Sequence, residues 1–473
     1  MKTINRKPLF LALAGVTALG AVSTAQAIGV SPTLLGDALI YPYYTVKGSG
    51  STAYNTLLSI VNTTGSTKAV KIRFREGKAS AEVLDFNIFL SPYDMWVAEL
   101  DASATGGVQL FTNDKTCTIP RVVSGVEFRN TQYTGDQAKD NSLQRLREGY
   151  FEVIEMATYT SGSTIGINSK HSNGVPKDCT KVTNDVAADE AQPPTGGLSG
   201  TVSLVSPGSG LNAAADAVAM FGCNISDYFF SNADEPTFAN CEEWSLTPTA
   251  EGNTIHALWG FGQGQDATSA ALMKNAIINE FVLDVATASA TDWVVTFPTK
   301  HHYVDNFSTV PPGKLFQSRL TSSGSCDDIL VNTWDREERT KTPDQDDFSP
   351  TQQTPNVQIC WEANIVSFND HNIFNSSQVL GIATLFENGW ARIDFVPKVN
   401  QFLIANNAQR IEQNSLGVPF VSIAGTTFHG LPVIGFAVET FRPLGTTSYA
   451  GVFTHRFVPG SPDDITHQPP IDQ

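Results

Sequence analysis

The clearest pattern along the chain is strict alternation. Val70, Ile72 and Phe74 interleave with Lys71, Arg73 and Arg75, the period-two signature of a strand with one buried and one wet face. The apolar run Thr56 to Val61 precedes it across the turn signal Asn62-Thr63-Thr64-Gly65. Val83 to Leu90 follows, is broken by Ser91-Pro92-Tyr93-Asp94, and resumes from Met95 to Leu100. Short strands at this spacing predict an antiparallel β-sandwich, and residues 28–120 read as an immunoglobulin-like unit. Gly149 to Met156, Thr201 to Ser206, Glu280 to Val285 and Trp293 to Phe297 have the same β character. So do Ala391 to Phe395, Val433 to Phe441 and Gly451 to Val458. They predict a second β-rich domain over residues 121–459 and leave residues 460–473 as a proline-rich flexible tail.

Helical spacing is rarer. Ser142 to Glu148, with Ser142 as cap, and Leu211 to Phe221 suggest short helices. Asp266 to Ile278 is the best helix, with Leu272, Met273, Ala276 and Ile277 on one face behind an Asp266 cap. Val186 to Gly200 and Thr340 to Asn356 read as loops. No fixed-period repeat stands out, which argues against a propeller or solenoid. The expected fold is mainly β, sandwich-like, with a few short helices and long loops.

The N-terminus changes the compartment. Lys2, Arg6 and Lys7 precede an apolar stretch from Leu9 to Val22 and the small-residue site Ala25-Gln26-Ala27. This is the layout of a cleaved secretion signal, residues 1–27, with the cut between Ala27 and Ile28. The apolar stretch is too short for a membrane anchor. Cleavage leaves 446 of 473 residues and, with three basic residues gone, moves the net charge from −17 to −20. So acidic a surface repels nucleic acid and anionic lipid. The expected destination is the periplasm, the outer surface or the medium.

An exported chain with six cysteines points to disulfides. Local pairing predicts Cys117–Cys179, Cys223–Cys241 and Cys326–Cys360. No close Cys or His spacing of the zinc type is present.

Candidate chemistry is sparse. No G-x-S-x-G nucleophile elbow occurs. His301-His302-Tyr303-Val304-Asp305 suggests a metal, but on a strand His302 would face away from His301, Tyr303 and Asp305, so a surface or turn position is the expectation. Asp370-His371 reads as a polar turn, and His429 and His455 as structural histidines among apolar neighbours. Calcium is the one cofactor entertained, at Asp344, Asp346 and Asp347, with Asp327-Asp328 and Asp463-Asp464 as further acid pairs. None fits the twelve-residue calcium loop, and solvated loop acids are the simpler reading. Tyr41-Pro42-Tyr43-Tyr44, Trp244, Trp259 and Trp334 could stack on sugars, although core packing is the commoner use of such residues.

Three phrases taken together carry a resemblance. Leu90-Ser91-Pro92-Tyr93-Asp94-Met95-Trp96, Thr291-Asp292-Trp293-Val294-Val295-Thr296-Phe297-Pro298-Thr299-Lys300 and Gly430-Leu431-Pro432-Val433-Ile434-Gly435-Phe436 resemble a group of uncharacterised exported or surface-associated proteins of Gram-negative bacteria. No activity is established for that group, so the resemblance implies export and no catalytic residues. The expected function is a secreted or cell-surface structural or binding protein without catalysis, self-assembling or meeting a surface or glycan partner. The alternatives are a polysaccharide hydrolase using a carboxylate pair and a calcium-dependent adhesive module.

Overall fold

The computed structural model describes residues 27–122, 125–223, 225, 228–249, 252, 254–304, 315–316, 318–338, 357–395, 402–411, 425–442 and 448–462. Residues 1–26 of the expected secretion signal (1–27), Asp305, Asp344, Asp346, Asp347 and the residues from 463 on, including Asp463-Asp464, lie outside them. Within the described residues the chain is mainly β and built from several, chiefly antiparallel, sheets.

Two sheets form the first layered pair. One runs Gly29–Val30, Val218–Phe221, Ala38–Thr45, Glu148–Tyr159, Thr67–Glu76, Glu82–Leu90 and Cys117–Ile119. The other runs Leu211–Asp216, Leu198–Ser206, Asn55–Asn62, Met95–Ala102, Val108–Phe111 and Val126–Glu127. Strands on both sides of residue 120 therefore share the same two sheets. The inward positions Ile72, Phe74 and Val153 join Leu58, Ile60 and Trp96 in one core, as alternation demands.

A second pair follows. Val357–Ile359, Asp327–Asp335, Asn388–Phe395, Met273–Val282 and Leu431–Pro432 form one sheet, with Arg456–Pro459 also paired to Met273–Val282. Val379–Ile382, Ala363–Phe368, Ala290–Thr296, Ile434–Phe441 and Tyr449–Thr454 form the other, in which Val379–Ile382 pairs in parallel. Phe281 stacks on Phe368 at 5.0 Å between them. The two pairs share cores, since Tyr150 and Ile154 pack with the second and Phe436 and Val438 with the first. The buried carboxylate of Glu148 ties them further. It accepts from Tyr43 Oη at 2.9 Å and from Ser377 N at 3.0 Å, and pairs with Lys47 at 3.1 Å. Burial would raise its pKa, but Lys47 and the serine donors outweigh that and hold it below the ordinary value.

Several local expectations change in three dimensions. The basic face of Thr67–Glu76 is not wet: all ten residues are buried. Arg75 pairs with Glu152 at 3.0 Å, Lys71 with Asp85 at 3.3 Å, and Arg73 donates to the carbonyls of Ala233 and Pro236. The segment around 228–240 covers the Arg73 guanidinium and the Lys71 ammonium, which period-two logic would hand to solvent, and carboxylates and carbonyls compensate the burial of all three cations. The Asp266 helix spans only Gly264–Leu272, and the chain passes directly into the strand Met273–Val282. The β-branched and aromatic content of Ile277, Ile278, Phe281 and Val282 suits the sheet better than a helix. Leu211 to Phe221 is two strands, because pairing with Leu198–Ser206 and Ala38–Thr45 overrides the helical preference of its alanines. Ser142 precedes a 3₁₀ helix, Leu143–Arg147, without a side-chain cap bond. The loop expected over 186–200 holds most of the helix Asn184–Glu190 and the start of a strand.

Candidate functional site

Among the described residues, a partly enclosed cavity of about 440 Å³ has a mostly apolar lining and falls within the size range of small-molecule sites. It lies where the edge strand Leu211–Asp216 approaches the second pair of sheets. Ala214, Ala217, Ala219 and Ala271 contribute walls of minimal volume, and Ile277 and Phe436 add larger apolar surface. Val30, Leu34 and Phe457, between 42% and 48% exposed, also line it. Three exposed apolar side chains lining one cavity are more informative than the same residues scattered.

Lys274 lines this cavity. It is placed there by the abrupt change from helix to strand after Leu272. Its ammonium donates to the carbonyls of Leu272 at 3.1 Å and Val433 at 2.6 Å and lies 5.0 Å from the Phe457 ring centroid. Burial lowers its pKa to about 8. Beside it, His455 Nε2–H donates to the Val294 carbonyl at 3.0 Å, while Nδ1 accepts from the Asn279 amide at 3.2 Å. That pairing fixes the neutral tautomer. Burial, with the Lys274 charge adding to it and the Val294 carbonyl opposing, takes the imidazole to about 4.

A second, polar cleft of about 280 Å³ holds the histidine pair. His301 and His302 open the short helix His301–Val304, not a strand, and their rings lie side by side, 4.0 Å between centroids and tilted by 36°. Arg75, Glu82, Tyr133 and Asp234 line the same cleft. His301 Nδ1 and His302 Nε2 are buried and have no hydrogen-bond partner among the described residues. Burial drives His301 well below its ordinary pKa, with His302 adding to the effect, and takes His302 to about 3, with Arg75 contributing. Both rings are neutral at physiological pH and too weakly basic to serve as efficient general bases there.

The remaining sequence candidates disperse. The three disulfides pair as expected: Cys117–Cys179, Cys223–Cys241 and Cys326–Cys360. Ile28 is buried, with its N–H donating to the Trp244 carbonyl at 2.7 Å. Asp327 pairs with Lys300 at 3.3 Å, and Asp328 accepts from Gln358 at 2.9 Å. Among the described residues no group of three or more His, Cys, Asp or Glu is arranged to hold a metal. Asn369 and Asp370 adopt left-handed backbone conformations next to an exposed His371, a polar turn. The His429 ring meets Phe402 edge-on at 5.9 Å. Tyr41, Tyr43, Tyr44 and Trp259 are core residues. Trp244 packs on His256 at 4.5 Å, and Trp334 stacks on Trp390 at 4.0 Å across neighbouring strands. No protein-family model, curated protein or solved structure matches the chain.

Lys274 escaped the sequence reading. Its signal was present: a lone cation, followed by Asn275, in the otherwise apolar run Ala270 to Ile278.

Proposed function

We propose that the protein is an exported, non-catalytic binding protein that takes a small apolar molecule into the 440 Å³ cavity. The observation that carries this reading is the cavity's construction. Small side chains from separate elements leave space that a packed core would fill, and exposed apolar residues line it. Export is supported by the signal-like N-terminus and by three disulfides, which persist in oxidising compartments. The neutral histidines of the second cleft, poor bases near pH 7, favour binding over acid–base catalysis.

The test is a titration of the mature, oxidised protein with the neutral fluorescent probe N-phenyl-1-naphthylamine. The reading predicts saturable, blue-shifted emission at about one probe per chain. A linear, unsaturable response would overturn it.

A second reading, a glycan-binding surface, is favoured by one observation. The Trp334–Trp390 stack is flat to 12°, and Trp390 is 37% exposed, so one indole face is open to a sugar ring. Quenching of tryptophan emission by soluble polysaccharide in the native protein, lost on Trp390→Ala, would support it. Identical quenching in the variant would remove it.

A further inference from the structure

Among the described residues lining the cavity, Lys274 carries the only formal positive charge and Asp216 the only negative one. Asp216 is exposed and its carboxylate accepts from Thr201 Oγ1 at 3.3 Å. It makes no ion pair with Lys274. His455 is held neutral by Asn279 and the Val294 carbonyl. Glu280 and Arg456, on the two adjoining strands, are spent on each other at 2.8 Å. Among the described residues, Lys274 therefore stands in a mostly apolar recess without a carboxylate paired to it.

A lysine ammonium has three N–H groups. Two of the Lys274 donors go to the Leu272 and Val433 carbonyls, and one remains. Carbonyl dipoles and the Phe457 ring soften the cost of a half-buried cation, but they do not neutralise it. An anion entering the cavity would. A single free donor on a compact point charge suits one carboxylate oxygen, whereas a phosphate or sulfate group calls for several converging donors or an arginine fork. The remaining wall is mostly apolar, interrupted by Ser31, Asp216, Thr454 and His455, and suits a hydrocarbon chain.

We propose that the ligand of this cavity is an amphipathic monocarboxylate, an aliphatic chain whose carboxylate accepts the free N–H of Lys274 while the chain lies against the apolar walls. The proposal rests on the binding reading above and narrows it to one ligand class. It also implies a pH window. The ligand is ionised above about pH 5 and Lys274 is protonated below about 8, so affinity peaks between these values and declines in alkali.

The experiment is isothermal titration of the mature, disulfide-bonded protein with decanoate and with decan-1-ol, at pH 6.5 and pH 9.5. Decanoate should bind roughly 10- to 100-fold tighter than the alcohol at pH 6.5, the scale of a charge-assisted hydrogen bond. The advantage should shrink at pH 9.5, vanish in Lys274→Met and survive in Lys274→Arg. Equal affinity for acid and alcohol in the native protein, or an acid preference that persists in Lys274→Met, would overturn the carboxylate assignment while leaving the cavity reading standing. Binding of neither compound would overturn both. If Lys274→Met does not fold, the native protein decides the matter: an acid preference unchanged between the two pH values refutes the role of Lys274.

Discussion

Replacing Asp292 with asparagine should reshape the stability of this protein as a function of pH. Asp292 lies on the strand Ala290–Thr296, directly across from Ser367, and is completely buried. One carboxylate oxygen accepts the Ile373 N–H at 2.6 Å. Burial raises its pKa from 3.8 to about 7, with the Ser367, Ile373 and Phe374 hydrogen bonds offsetting only part of the cost. The folded state thus holds the proton more tightly than the unfolded chain. The associated stability is fully present below pH 3.8 and is lost as pH rises through about 7. At 1.4 kcal/mol per tenfold change in proton affinity, the loss is roughly 4 kcal/mol. Asparagine keeps the acceptor for Ile373 and abolishes the titration. Urea unfolding of native and D292N protein at pH 4.5, 6, 7 and 8 should show the variant gaining most of that amount relative to the native chain as pH rises. Every other titrating group is common to both proteins and cancels from the difference. Parallel profiles for the two proteins would refute the assignment of a protonated Asp292.

Three further outcomes follow from packing. Replacing Cys326 and Cys360 by serine releases a loop of 34-residue sequence separation and should lower stability by about 4 kcal/mol on the loop-entropy scale, read by denaturant unfolding. Arg145→Met removes a two-pronged contact to Glu76, at 2.7 and 2.8 Å, and leaves a fully buried carboxylate without its arginine, held by the Lys78 and Ala79 N–H groups. It should cost roughly 3–5 kcal/mol in the same assay, and a neutral result would show that Glu76 is readily solvated. Gly200→Val would put a Cβ 1.8 Å from Tyr41 Oη and 2.4 Å from the Ser59 carbonyl. Overpacking on this scale should cost at least about 1–3 kcal/mol, and an unchanged melting temperature would contradict the close approach of these strands.

How much of this was legible in the sequence depended on how local each signal was. Strands announced themselves through alternation because the inward positions of a sandwich must be apolar, as Val70, Ile72 and Phe74 are. The disulfides were legible because each pair closes a local segment. What failed was any inference about the second face of a strand. Lys71, Arg73 and Arg75 look solvent-bound in isolation, and only the distant arrival of Ala233, Pro236 and Glu152 explains their burial. The histidine pair failed for a related reason. A single helical turn at His301–Val304 sets two neighbouring rings side by side, and so short a turn leaves no periodicity to read. The cavity was invisible because its walls come from segments more than 200 residues apart, and an alanine that lines a space looks like one that fills it.

The most direct test of the central claim is uptake of N-phenyl-1-naphthylamine by the native protein and by Ala214→Trp. Ala214 is exposed and lines the cavity, so an indole there occupies the space without entering the core. Saturable binding by the native protein and its loss in the variant, with the melting temperature unchanged, are expected. Equal binding by both proteins would place the probe elsewhere and contradict the assignment of this cavity as the site.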